Sequence, residues 1–118
     1  MTLLYICYHF RIAWLAVITA GLLEVGFATM LKLSNNFTKI WPSIGFLLFA
    51  SGSFSLLAWS LKTLPIGTAY AVWTGIGAAG TAILGMVIFK DPVSIARITA
   101  IAFIITGVIL LNFSSSSH

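Results

Sequence analysis

IAWLAVITAGLLEVGFATML, residues 12–31, decides the fold. The run is 20 residues long and carries one charge, Glu24. A bilayer core is crossed by roughly 20 apolar helical residues, so this segment reads as a transmembrane helix. Glu24 then falls within the membrane. A carboxylate there is costly to bury, and such groups usually face a polar cavity or line an ion or proton pathway. The bland alternative is a structural acid held by hydrogen bonds to a neighbouring helix.

Composition supports the membrane reading. Of the 118 residues, 60% are hydrophobic and 7% charged, where a soluble domain carries about 25% charge. Mean hydropathy is +1.11. Only helices or closed barrels span a bilayer. The apolar runs lack the alternation of strands and have the length of helices. The net charge of +4 comes from six basic residues scattered singly at helix ends. Membrane proteins keep topology and anchoring charges there, so nucleic-acid binding is not expected. The single cysteine, Cys7, excludes an internal disulfide and a multi-cysteine metal site. His9 and His118 have no ligand spacing, so neither a metal nor another cofactor is expected.

Three further spans follow: about 42–61, 66–89 and 93–113. The loop 32–41 contains Ser34, Asn35 and Asn36, all turn formers. Pro42 fits a first helical turn. Lys62, Thr63, Leu64 and Pro65 end the second span. Lys90, Asp91 and Pro92 end the third, with Asp91 expected as N-cap and Pro92 as first residue of the fourth helix. Residues 114–118 form a polar tail expected to fray. The expected architecture is an all-α, four-helix transmembrane bundle covering 12–113, one domain with no soluble part.

Residues 1–11 are an apolar, aromatic N-terminal extension. No basic residue precedes the apolar run, so a cleaved secretory signal is not expected. Tyr5, Tyr8, His9 and Phe10 suit a membrane interface. The extension either lengthens the first helix or reflects an upstream start. TGIGAAG, residues 74–80, lacks the Gly-Lys-Ser/Thr ending of a phosphate loop and sits inside an apolar helix. An ion gradient, not a nucleotide, would therefore drive transport. Arg11 and Lys62 fall on one membrane face, and Lys32, Lys39, Lys90 and Arg97 on the other. That bias is weak, so insertion in both orientations is compatible with it.

Several residues are candidates for a site with Glu24. Ala20, Phe27, Ala28 and Leu31 share its helical face, and the alanines leave room beside it. Ser53 and Ser60 share a face of the second span. Tyr70, Trp73 and Gly77 form a stripe on the third. Aromatic faces attract cations by about 2 kcal/mol or more when desolvated. A carboxylate with Tyr and Trp is therefore a suitable set for a cation. Tyr70 and Ser53 are also candidate donors to ionised Glu24. Ordinary membrane packing is the competing explanation for each residue singly. Gly75, Gly77 and Gly80 each weaken a helix by roughly 1 kcal/mol relative to alanine. Close packing or a hinge explains their retention. On the fourth span, Ala100 and Gly107 form a small-residue seam suited to self-association.

With GLLEV at 21–25, LKLSNNFTKIWPS at 31–43, LPIGTAYAVWTGIGA at 64–78 and FKDP at 89–92, the chain resembles the small multidrug resistance transporter family. The resemblance spans nearly everything beyond the extension. It implies a four-helix protomer that pairs as an antiparallel dimer in the cytoplasmic membrane. It implies exchange of protons for cationic substrates through Glu24. It also places Tyr70, Trp73 and Ser53 around the substrate, Gly75 and Gly77 at a bend, and Ala100 and Gly107 at the dimer seam. TAYAVWTGIGA resembles the guanidinium-exporter branch. That branch usually carries Trp where this chain has Phe27, and LLNF at 110–113 is closer to the multidrug branch. Phe27 cannot donate a hydrogen bond to Glu24, so the expected substrates include both guanidinium-type and quaternary ammonium cations.

The expected function is a proton-coupled antiporter exporting small organic cations. Protons and substrate compete for the same carboxylates, and a site opened to one side at a time completes the cycle. The rival expectation is a subunit that works only in a heterodimer with a paralogue. An enzyme is not expected, because one buried Glu without a partner acid, nucleophile or metal is a poor catalytic set.

Overall fold

The computed structural model describes residues 2–116; Met1, Ser117 and His118 lie outside it. Four helices follow in order: α1 (Thr2–Leu33), α2 (Ile40–Ser60), α3 (Ile66–Val87) and α4 (Ile95–Ser116). All four are long and apolar enough to cross a membrane.

α1 is 32 residues long. At 1.5 Å per residue it measures about 48 Å, well beyond a hydrocarbon core of about 30 Å. The extension therefore continues α1 without a break. Nothing between Thr2 and Phe10 is a helix breaker, and a single Arg11 does not interrupt the backbone ladder. Leu3, Leu4, Tyr5, Ile6 and Tyr8 are all exposed on these extra turns.

The α1–α2 loop is a tight left-handed turn. Asn35, Asn36 and Phe37 have φ of 48°, 60° and 65°. Asn tolerates this region, whereas a bulky aromatic does not do so readily. Ser34, fully buried, supports the turn. Its hydroxyl donates to the Leu31 carbonyl at 2.7 Å and accepts from the Phe37 N–H at 3.1 Å.

The start of α4 differs from the sequence expectation. Asp91 is not the N-cap and Pro92 is not helical, because the helix begins at Ile95. Ser94 caps it, its hydroxyl accepting from the Arg97 N–H at 3.2 Å. Lys90 takes φ of 58°, and this kink turns Asp91 back onto α3. There the Asp91 N–H donates to the Gly85 carbonyl at 2.9 Å. At the other end, the helix runs past the expected limit of 113 to Ser116.

α1 packs against both α2 and α3, and α4 rests on α3. The core lies where the first three helices meet, around Ala13, Trp14, Val17, Ala20, Leu57, Leu64, Ala69, Val72 and Trp73. The protomer measures 51 × 36 × 18 Å. A helix with side chains is about 10–12 Å wide, so the slab is less than two helices thick. None of the α4 spanning window is buried.

Candidate functional site

Glu24 lies on α1 at its seam with α3. Glycines allow the two backbones to approach there. A Cβ at Gly21 would come within 2.8 Å of Ile76 and 3.3 Å of the Trp73 carbonyl oxygen. A Cβ at Gly80 would come within 2.6 Å of Val25. At Gly77 a Cβ would overlap the Glu24 carboxylate itself. Glu24 therefore rests on bare α3 backbone. Its Oε1 is buried and has no hydrogen-bond partner among the described residues.

Ser53 does not serve Glu24 as a donor within the protomer. Its hydroxyl, fully buried on α2, donates to the Ala20 carbonyl of α1 at 2.7 Å. It accepts from the Trp73 Nε1–H of α3 at 2.9 Å. One hydroxyl thus joins three helices. The Ala20 carbonyl is also the helical acceptor for the Glu24 N–H, four residues on. The network therefore fixes the α1 turn that carries the carboxylate. Among the described residues, Tyr70 makes no hydrogen bond to Glu24 either; its side chain is 56% exposed.

Trp73 is buried and Tyr70 lies beside it, their ring centroids 5.4 Å apart. Trp73 also meets Phe54 at 5.4 Å, and Phe54 stacks on Phe27 at 6.0 Å. Phe46 follows, edge-on to Phe27 at 5.7 Å. The result is an aromatic row across α3, α2 and α1. Sequence reasoning missed Phe46 and Phe54. They are eight residues apart on one face of α2, and that spacing was the available signal.

The remaining candidates separate. Ala28, one turn beyond Glu24, lines a small cavity nearer Asp91 with Thr29, Lys32 and Thr81. Gly75 faces α4, where a Cβ would come within 2.7 Å of Val108. α3 passes Gly75 and Gly77 as one continuous helix. Ala100 and Gly107 lie exposed on α4, and a Cβ at Gly107 would meet nothing within 4 Å.

Four helices apolar and long enough to cross a membrane, with one carboxylate inside them, fit a small membrane transporter. The family described as Small Multidrug Resistance protein matches residues 12–116, and the chain belongs to it. A guanidinium exporter of Yersinia pseudotuberculosis serotype I (strain IP32953) is 50% identical over 103 residues, 87% of this chain and 99% of that protein. Guanidinium exporters of Citrobacter freundii and Salmonella typhimurium are each 44% identical over 103 residues, covering 87% of this chain and 98% of theirs. The protein is a multi-pass transporter of the inner membrane, not an enzyme.

Proposed function

We propose that this small-cation efflux transporter is a proton-coupled antiporter, working as an antiparallel dimer on guanidinium-type and quaternary ammonium cations. The observation that carries this reading is Glu24. It is the sole carboxylate within the spans, and its Oε1 is buried without a partner among the described residues. An uncompensated ionised carboxylate is very costly in such a place. A bound proton removes the charge; a bound cation balances it. The two states exclude one another, and that exclusion is the coupling between proton entry and cation exit.

The named activity of the relatives supports a guanidinium-type substrate. The aromatic row beside the seam supports a wider range. Tyr70 and Phe54 are 56% and 52% exposed, so they offer ring faces to a cation. Phe27 has no hydrogen-bond donor and stacks on Phe54, which suits apolar substituents on the cation. The unburied α4 supports pairing with a second copy, since close approach through Ala100 and Gly107 would cover it.

The test is uptake into proteoliposomes containing this chain alone, comparing guanidinium with tetraethylammonium under an imposed pH gradient. Gradient-driven movement of both cations is expected. Movement only after a paralogous chain is added would replace the homodimer by a heteromeric pair. Movement independent of the gradient would refute proton coupling.

A further inference from the structure

The chain has two carboxylates, and both lie against glycine on one face of α3. Glu24 rests on Gly77, and Asp91 rests on Gly85 closely enough that a Cβ there would overlap its Oδ2. Gly77, Thr81 and Gly85 recur every four residues and so share one face. The two glycines are about 12 Å apart along the helix axis. Neither carboxylate needs to be at this seam to cap a helix, since Ser94 caps α4. Beside Asp91, reaching back along the seam as far as Ala28 and Thr81, lies a cavity of about 80 Å³, lined also by Thr29 and Gly85. A water molecule occupies about 30 Å³ of liquid, so water fits. The Thr29 hydroxyl is committed to the Val25 carbonyl at 2.8 Å. Thr81 makes no such bond among the described residues, and its hydroxyl both donates and accepts.

Resting on the proton-exchange reading above, we propose that Asp91 is the outer proton-exchanging group for Glu24, linked to it along the α1–α3 seam through Thr81 and water. When a cation binds, the Glu24 proton passes to seam water or Thr81, which gives up its own proton to Asp91. Glu24 is left as carboxylate and Asp91 as carboxylic acid, with Thr81 unchanged. Asp91 then releases the proton to bulk water. Lys32 is the other charged group lining this cavity, its ammonium held 5.1 Å from the Phe89 ring centroid. Lys90, adjacent in sequence, is exposed.

The test is stopped-flow proton release from the purified full-length protein in weakly buffered detergent, with a pH dye and guanidinium as the probe. Isothermal binding is measured beside it. Asp91→Asn is expected to slow release on the order of 100-fold, with unchanged protons released per protein and unchanged guanidinium affinity. Asp91→Glu restores the rate. Thr81→Val slows release and Thr81→Ser restores it, giving a second route to the same answer should the Asn variant fold poorly. Lys90→Gln controls for surface charge and leaves the rate unchanged. Wild-type release rates in both Asp91→Asn and Thr81→Val would overturn the route while leaving Glu24 exchange intact. Absence of proton release in the wild type would instead overturn the exchange reading and this inference with it.

Discussion

Gly77→Ala places one methyl group against the proposed centre of transport. Ordinary van der Waals contact of a Cβ begins near 3.4 Å. The added Cβ would overlap Oε1 and Cδ of Glu24 and lie 2.8 Å from its Cγ. Relief therefore requires the carboxylate to move by roughly 1 Å or the helices to part, and a displacement of that size costs on the order of 100-fold where groups must be positioned. Helix propensity works the other way, favouring Ala over Gly by about 1 kcal/mol. Overpacking costs about 1–3 kcal/mol, so the net destabilisation is about 0–2 kcal/mol. The variant should still fold, with a melting temperature in detergent at most modestly lowered, yet lose most cation transport in proteoliposomes. Gly67→Ala is the internal control. It lies in the first turn of the same helix with nothing within 4 Å of its Cβ, so transport should be unchanged. Full transport by Gly77→Ala, with unaltered guanidinium affinity, would refute close contact between Glu24 and this backbone.

Other perturbations should separate the parts of the site. Ser53→Ala leaves the buried Trp73 indole N–H without its acceptor, a cost of about 1–3 kcal/mol. Thermal unfolding should register that loss, and a Ser53→Ala/Trp73→Phe double mutant should lose less than the sum of the two. Gly107→Leu should abolish the dimer in lipid crosslinking and transport with it, because the larger side chain blocks close approach along α4. A fully dimeric, active Leu variant would remove α4 from the interface.

Much of the fold was legible because apolar length alone marks a spanning helix, as 12–31 shows. Turn residues at 34–36 and 62–65 then separated the spans. The start of α4 was misread because Asp91-Pro92 has the local chemistry of a cap, while Asp91 is instead engaged on α3 and a serine three residues later does the capping. The length of α1 stayed open because a run with no breaker has no internal stop signal. Glu24 stood out by its cost in a membrane. The partners of the other polar groups did not, since they depend on how each helix is rotated about its axis. Ser53 is the clearest case: sharing a face with Ser60 told nothing of its bonds to Ala20 and Trp73. Gly75 and Gly77 are two residues apart, yet one meets α4 and the other Glu24. The spacing of Phe46 and Phe54 puts them on one face of α2, but the rings they meet belong to other helices, which that spacing does not identify.

Exchange of protons for a cation at Glu24 is tested most directly by comparing wild type and Glu24→Gln in proteoliposomes under one pH gradient. Gln preserves volume and hydrogen-bonding capacity but neither gains nor loses a proton. Guanidinium uptake and the accompanying proton efflux are recorded together. The wild type should accumulate guanidinium with matched proton movement, and the Gln variant, inserted and dimeric, should show neither. Gradient-driven accumulation by the Gln variant would contradict the account at its centre.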